Sequence, residues 1–283
     1  MRNYREQFIV KPGAKIRLAR IDPAFHGRHE SHEKAKADLD RAIEKMDRLQ
    51  TRMYAEHRHS ILIVLQGLDA AGKDGVIRHV FTGMNPQGCA VATFKQPTPQ
   101  ERDHDFLWRV HPRAPARGHV TIFNRSHYED VLVARVHRLV PKEVWAKRYS
   151  MINAFERTLA EDSGTTVLKF FLHISKNEQL ARFEKRLDDP HRNWKISESD
   201  YEERKYWHDY MAAFEEVFRE TSAKHAPWFV IPANHKWFSH LAISEIIVDA
   251  MERMRIKVPP PTVDLAKIRR QFHSVLKSEK RAH

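Results

Sequence analysis

The chain has 283 residues, 41% of them hydrophobic and 30% charged, which is the composition of a soluble globular protein large enough for one α/β domain. Lys and Arg number 49 against 37 Asp and Glu. The resulting net charge of +12 favours a polyanionic partner such as nucleic acid, an acidic membrane surface or polyphosphate, although basic residues that serve solubility alone would give the same excess.

The single cysteine, Cys89, excludes an intrachain disulfide and a multi-cysteine metal site. The N-terminal residues lack the apolar core of a signal peptide, and no apolar stretch approaches membrane-spanning length. We therefore expect a cytoplasmic protein without a membrane partner.

Residues 1–30 are predicted to form an irregular, basic N-terminal arm, because Pro12, Gly13, Pro23 and Gly27 interrupt any regular period. From Ser31 onward the sequence predicts a long helix. Its apolar residues recur at three- and four-residue steps, as on one helix face: Ala35, Leu39, Ile43, Met46, Leu49 and Met53. This face is expected to pack against the main domain.

Five short apolar segments, rich in β-branched and aromatic residues, are predicted to be buried strands: Ile61–Leu65, Ala90–Phe94, His119–Phe123, Thr166–His173 and Trp228–Pro232. Helical patterns separate them, which predicts an α/β fold with a parallel sheet flanked by helices. We expect a single domain over residues 31–258, followed by a basic C-terminal tail over residues 259–283. Ligands of such sheets bind beyond the carboxyl ends of the strands, so the chemistry is expected there.

The first strand leads into Gly67–Gly75, a G-x-x-x-x-G-K segment that we call the phosphate loop. In such a loop the backbone N–H groups face one anion and the lysine, here Lys73, reaches the outer phosphates. The small residues that allow this approach, and are predicted to bind phosphate, are Gly67, Ala70, Ala71, Gly72 and Gly75. A glycine-rich turn without a ligand is the alternative interpretation.

Two carboxylates distinguish this loop from an ordinary one. Asp74 stands where Ser or Thr normally holds Mg²⁺, and Asp69 lies inside the loop. Carboxylates this close to phosphate would repel it unless a cation lies between them. The sequence therefore predicts Mg²⁺, with Mn²⁺ as a substitute, held by Asp69 and Asp74, and Asp74 is also predicted to lie at the phosphate and nucleotide site.

The third strand is followed by Asn124–Asp130, which we call the 124–130 turn. Asn124 stands where phosphate-loop enzymes commonly place an acid that orients the metal, and Glu129 and Asp130 come one helical turn later. Arg125 is predicted to neutralise charge on a transferring phosphoryl group. Ordinary capping of the following helix explains the same residue types and is compatible with catalysis.

Two further segments are rich in basic residues. Residues 176–205 contain Arg186 and Lys195 among many cations, and the break Asp188–Pro190 separates two helical stretches. This pattern predicts a lid that closes cations over phosphates, with a charged surface hairpin as the alternative. The loop before the third strand carries Arg113 and is either a track for a polyanion or a solvated basic loop.

Together, Gly67–Gly75, Phe106–His111, Asn124–Asp130 and Lys169–Lys176 resemble the polyphosphate kinase 2 family, and the resemblance extends over nearly the whole chain. G-x-D-A-A-G-K-D-G combined with N-R-S-H-Y-E-D is far more selective than either motif alone. The resemblance implies a P-loop kinase-like (thymidylate-kinase-like) fold with a helical lid. It also implies reversible, Mg²⁺-dependent transfer of a terminal phosphoryl group from inorganic polyphosphate to a nucleotide.

The resemblance assigns roles to the residues already identified. Asp69 would bind Mg²⁺, Lys73 would hold phosphates and Arg125 would stabilise the transferred charge. Glu129 and Asp130 would position the acceptor phosphate or a second cation, and these five residues are the predicted catalytic set.

The same resemblance implies that Arg186 and the other basic residues of the lid close over the polyphosphate, and that the protein is a homo-oligomer, a dimer or a tetramer. Asn124 in place of Asp resembles the subgroup that accepts both nucleoside mono- and diphosphates. Adenine nucleotides are the expected acceptors, and the preference between AMP and ADP and the use of guanine nucleotides stay open.

Two other functions remain to be discriminated. An ATP-dependent nucleoside monophosphate kinase would share the fold, and a basic nucleotide-switched protein would bind nucleic acid. The sequence lacks the interleaved aromatic and basic residues of single-strand binders, so nucleic acid is not an expected partner.

Overall fold

Residues 4–282 are described by this computed structural model, and the strands within them form one six-stranded sheet. The strands are β1 (Ile9–Val10), β2 (Ser60–Gln66), β3 (Cys89–Thr93), β4 (Val120–Asn124), β5 (Thr165–His173) and β6 (Trp228–Pro232). Their order is β1-β6-β5-β2-β4-β3, with β1 antiparallel to β6 and every other pair parallel. The five predicted strands are confirmed, each bound lying within one residue of the predicted one.

The helices are numbered in chain order: α1 (Tyr4–Phe8), α2 (His32–Glu56), α3 (Lys73–Val80), α4 (Pro99–Arg102), α5 (Glu129–Val136), α6 (Lys142–Glu161), α7 (Lys176–Leu187), α8 (Glu198–Lys205), α9 (Trp207–Thr221), α10 (Lys236–Arg253) and α11 (Leu265–Ala282). None of the helices in the described chain has the length and apolarity needed to cross a membrane.

β2 is the central strand, and all seven of its residues are buried between two hydrophobic cores. Ile61 and Ile63 face the first core, while Leu62 and Val64 face the second, because successive side chains of a strand alternate. α2, α3 and α10 cover the first core, and α5, α6 and α9 cover the second. The predicted α/β fold with helices on both faces of the sheet is confirmed.

The start of the chain differs from the expected irregular arm. Residues 4–10 form α1 and β1, and Ile9 and Val10 pair with the edge of β6. Tyr4 and Phe8 are buried, and both rings lie edge-on to Phe238 of α10 at centroid distances of 5.5 and 6.0 Å. The prediction failed here because aromatic packing against a distant helix, rather than a local period, orders these residues.

The C-terminal residues include the helix α11, where the sequence analysis predicts only a basic tail. Its apolar residues are exposed and spaced along one side of the helix: Leu265, Ile268, Phe272, Val275 and Leu276. This helix is amphipathic, but its apolar side is not part of either hydrophobic core.

The sheet places two connections side by side. β2 and β4 are neighbours, and Leu65 near the end of β2 pairs with Asn124 at the end of β4. The phosphate loop follows β2 and the 124–130 turn follows β4, so both begin at the same edge of the sheet.

α10 carries a histidine that makes the fold sensitive to acid. His240 is buried and stacks on His79 of α3 at 5.2 Å. Burial, together with the neighbouring basic side chains of His79, Lys236, His32 and Arg182, lowers the pKa of His240 to about 4.

We predict that His240→Leu makes stability less dependent on pH. Between the ordinary histidine pKa of about 6.5 and the folded value of about 4, the unfolded chain binds a proton that the folded chain does not. Stability is therefore lost as the pH falls through this window, by roughly 2.5 kcal/mol at about pH 4.5. Denaturant unfolding at both ends of the window measures the change, and an equal loss in wild type and variant would contradict the prediction.

Candidate active site

The phosphate loop connects β2 to α3, which begins at Lys73. Gly67 has a φ of 151° and Gly72 a φ of 113°, and residues with a side chain rarely adopt these backbone conformations. A Cβ on Gly67 would lie 3.0 Å from the carbonyl oxygen of Leu172 in β5, so the loop needs glycine there for close packing as well. Ala70 also has a left-handed φ, of 60°. The loop is thus a tight turn at the head of a helix, as the sequence predicts for a phosphate-binding segment.

Lys73 lies buried within this loop. Its Nζ donates hydrogen bonds to the carbonyl oxygens of Gly67 at 2.6 Å and Leu68 at 3.2 Å. Burial and the nearby Arg125 cation, against the raising effect of Asp69, lower its pKa to about 8. A phosphate placed beside Lys73 would favour its charged form, because an anion at short range stabilises an ammonium group.

Arg125 joins the phosphate loop to the 124–130 turn. Its Nη2 donates to Oδ1 of Asp69 at 2.9 Å, and its Nη1 lies 3.9 Å from Oε2 of Glu129. Arg125 itself has a φ of 61°, a conformation that costs a non-glycine residue about 1–2 kcal/mol. Burial raises the pKa of Glu129, and the Arg125 cation opposes that rise. Four of the predicted catalytic residues are therefore gathered here: Asp69, Lys73, Arg125 and Glu129.

Asp74 holds a second group of predicted residues together. Its Oδ1 accepts a hydrogen bond from Nδ2 of Asn124 and its Oδ2 accepts one from Nζ of Lys195, both at 3.1 Å. Burial favours the protonated form, but the bonds from Lys195 and Asn124 outweigh it and lower the pKa of Asp74. Arg186 donates from Nη1 to the carbonyl oxygen of Lys195, so this part of the predicted lid reaches the phosphate loop.

Asp130 and Arg113 lie apart from these groups. The carboxyl of Asp130 is 3.7 Å from Nη2 of Arg109 and 3.5 Å from Nη1 of Arg148, which also donates to the Asp130 carbonyl. These contacts anchor the turn to α6 and to the loop before β4, and the catalytic role of Asp130 stays a prediction. Arg113 is exposed on the short turn His111–Arg113, and no ion pair joins it to the other predicted site residues among the described residues.

The carboxylates of Asp69 and Asp74 fit a metal ion that is bound partly by the protein and partly by phosphate. Within residues 4–282, no cluster of three or more His, Cys, Asp or Glu side chains could form an all-protein cage. Asp69 and Asp74 instead offer single carboxylates, each paired with a cationic or amide side chain. Mg²⁺ commonly takes one or two carboxylates and completes its shell with phosphate oxygens and water.

The 124–130 turn is also held by a buried hydrogen-bond network, which the sequence analysis does not predict. Nζ of Lys169 in β5 donates to Glu156 at 2.6 Å, Tyr128 at 2.9 Å and the carbonyl oxygen of Thr221 at 2.7 Å. Oε1 of Glu156 accepts from Tyr128 at 2.9 Å and from Nε2 of His127 at 3.2 Å. Lys169, Glu156, His127 and Tyr128 are all fully buried. A lysine inside an apolar strand is the sequence signal that points to such a network.

The electrostatics of this network favour an ion pair. Burial raises the pKa of Glu156, but the Lys169 cation and the bond from His127 outweigh it and hold the pKa below its ordinary value. Burial lowers the pKa of Lys169, against the effect of the Glu156 carboxylate. Each charge therefore depends on the other for its place in the interior.

A tight loop at the end of a parallel strand, a buried lysine at the head of the next helix and an arginine between carboxylates define a P-loop phosphotransferase. A family model described as Polyphosphate kinase 2 matches residues 29–259. The chain belongs to the polyphosphate kinase 2 family, whose members are generally dependent on a divalent metal.

Relatives of known name match almost the full length of the chain. An AMP/ADP-polyphosphate phosphotransferase of Meiothermus ruber is 50% identical over 272 residues, which are 95% of this chain and 99% of the relative. An ADP-polyphosphate phosphotransferase of Rhodopseudomonas palustris is 43% identical and covers 91% of this chain and 93% of its own. The crystal structure of polyphosphate kinase 2 from Arthrobacter aurescens TC1 is 38% identical with a TM-score of 0.89, covering 94% and 98% of the two chains.

We predict that Lys169→Met lowers the free energy of unfolding by about 3–5 kcal/mol, because it leaves the buried Glu156 carboxylate without its cation. Adding Glu156→Gln removes that charge and restores part of the loss. Urea unfolding of both variants measures the effect, with Lys147→Met at an exposed position of α6 as the control. A loss no larger than that of the control would contradict the ion-pair assignment.

Proposed function

We propose that this protein transfers the terminal phosphoryl group of inorganic polyphosphate to ADP and AMP in a reversible, Mg²⁺-dependent reaction. The observation that carries the proposal is the cluster of Lys73 and Asp69 of the phosphate loop with Arg125 of the 124–130 turn. The name of the Meiothermus ruber relative, at 50% identity over nearly both whole chains, supports the donor and the two acceptors.

Positioning and charge neutralisation carry the transfer. Lys73 and the phosphate-loop backbone hold phosphate, and Arg125 lies beside them, where charge spreads over the transferred group. When bound, Mg²⁺ supplies further positive charge to the phosphate oxygens, and Asp69 and Asp74 are the carboxylates that would hold it. Mn²⁺ is proposed to substitute for it.

The acceptor needs little help from a general base. Its attacking atom is a phosphate oxygen, which is already ionised near neutral pH, unlike the hydroxyl group of a sugar or serine. Glu129, whose pKa is raised by burial, is therefore assigned to positioning beside Arg125 rather than to strong proton abstraction. No covalent intermediate on the protein is required.

Three features belong to the proposal at a finer level. Asn124, which bonds to Asp74, is proposed to belong to the acceptor side of the site and to allow both AMP and ADP. The protein is proposed to be a cytoplasmic homo-oligomer, a dimer or a tetramer. Residues of the predicted lid, Arg186 and Lys195, are proposed to contact the polyphosphate or nucleotide from above the phosphate loop.

A substrate panel tests this function. We expect ATP from ADP, and both ADP and ATP from AMP, when the purified protein is incubated with polyphosphate and Mg²⁺, and no product when a chelator removes the metal. GMP and GDP in the same assay measure the choice of base. Turnover with ATP but not with polyphosphate as donor would instead identify an ATP-dependent nucleoside monophosphate kinase. Salt-sensitive binding of RNA or DNA without nucleotide synthesis would identify a nucleic-acid-binding protein.

Asp69→Asn is predicted to lower kcat by on the order of a hundredfold or more, because it removes the charge facing Arg125 and the proposed metal. The fold should persist, since a half-exposed ion pair contributes at most about 1 kcal/mol. Initial rates at saturating Mg²⁺ and the thermal midpoint measure the two effects. Asp40→Asn, at an exposed position of α2, is the matched control, and equal kcat values in the two variants would remove Asp69 from the mechanism.

A further inference from the structure

Three consecutive carbonyl groups of the phosphate loop accept hydrogen bonds from one helix. Nε2 of Gln179 in α7 donates to the carbonyl oxygen of Asp69 at 3.0 Å. Nη1 of Arg182, one turn later, donates to the carbonyl oxygens of Ala70 and Ala71, both at 2.8 Å. The backbone side of the loop is thus held by two side chains that lie outside the loop.

All three guanidinium nitrogen atoms of Arg182 donate hydrogen bonds. Nη2 donates to the carbonyl oxygens of Ala233 and Asn234 beyond β6, and Nε donates to Glu178 at 2.7 Å. The residue is 5% exposed, and a buried cation persists only when its donors are satisfied. Five backbone or carboxylate acceptors match the five N–H donors of the group. This arrangement joins the ends of β2 and β6 through one side chain.

These bonds determine which way the loop faces. In a planar trans peptide the N–H points opposite the C=O. Carbonyl groups of Asp69 and Ala71 that point toward α7 therefore turn the N–H groups of Ala70 and Gly72 to the opposite side. Ala70 also has a φ of 60°, a conformation that costs a non-glycine residue about 1–2 kcal/mol and needs support from its surroundings.

Gln179 also connects the loop to the far end of the predicted lid. Its Oε1 accepts a hydrogen bond from Nη1 of Arg204 in α8 at 3.0 Å, and Arg204 also donates to the carbonyl oxygen of Lys176. Gln179 itself is 2% exposed. The first two turns of α7 are therefore bonded both to the phosphate loop and to α8.

We propose that Arg182 and Gln179 are positioning residues, which hold the phosphate loop in its phosphate-binding shape by fixing the carbonyl groups of Asp69, Ala70 and Ala71. Neither residue needs to touch a substrate for this role. The inference rests on the proposed phosphoryl transfer.

Two variants test the proposal. Arg182→Lys keeps the charge but not the fork of donors, and Gln179→Met keeps the length of the side chain but not the bond to Asp69. We expect each to lower kcat by about tenfold or more, and to weaken binding of tripolyphosphate measured by calorimetry, because small displacements of a reacting group are costly. Arg219→Met, at a partly exposed position of α9, is the control and should match wild type in both assays.

The thermal midpoint separates positioning from a general effect on the fold. Assays are run well below the midpoint of each variant, where the protein is folded. A lower midpoint with kcat and tripolyphosphate binding within about twofold of wild type, in Arg182→Lys and Gln179→Met alike, would overturn the proposal. Should Arg182→Lys fail to fold, Gln179→Met alone decides it. Should wild type transfer no phosphoryl group, the proposed function fails, and tripolyphosphate binding alone decides the positioning role.

Discussion

Positive charge packed around a short backbone loop is the constraint on which the site depends. Lys73 lies inside the phosphate loop, Arg125 beside it and Arg182 behind it, and the first and last of these are buried. Such cations are stable only where donors and counter-charges are arranged around them. The carbonyl groups of the loop, Asp69 and Asp74 provide part of that compensation, and phosphate would provide more. The sheet makes this arrangement possible because the neighbouring strands β2 and β4 end side by side.

The local chemistry of the loop could be predicted from sequence, whereas its supports could not. Glycine spacing and an apolar strand identify a phosphate loop because each acts within a few residues. The partnership of Lys169 with Glu156 joins β5 to α6, and nothing in a local pattern names that partner. The two-residue strand β1 was missed for a similar reason, since its order comes from aromatic packing against α10. Arg182 is one of many basic residues between 176 and 205, and no local pattern distinguishes it from the others.

Sequence patterns also grouped residues that the structure separates. Glu129 and Asp130 are adjacent in the chain, yet Glu129 lies near Arg125, and Asp130 contacts Arg109 and Arg148. Neighbours on a helix point about 100° apart, so these two carboxylates reach different partners. The 124–130 turn therefore has one acid close to Arg125 and one that anchors the turn to α6 and to the loop before β4.

The bond between Lys195 and Asp74 has a consequence for the phosphoryl transfer proposed above. Lys195 comes from the predicted lid and already has an anionic partner in the phosphate loop. A phosphate group that takes Lys195 from Asp74 exchanges one partly exposed ion pair for another, and such pairs differ by little free energy. The exchange proposed for Lys195, from Asp74 to phosphate, would therefore change the free energy of the protein by little. A step with so small a free-energy change would suit the reversible transfer proposed above.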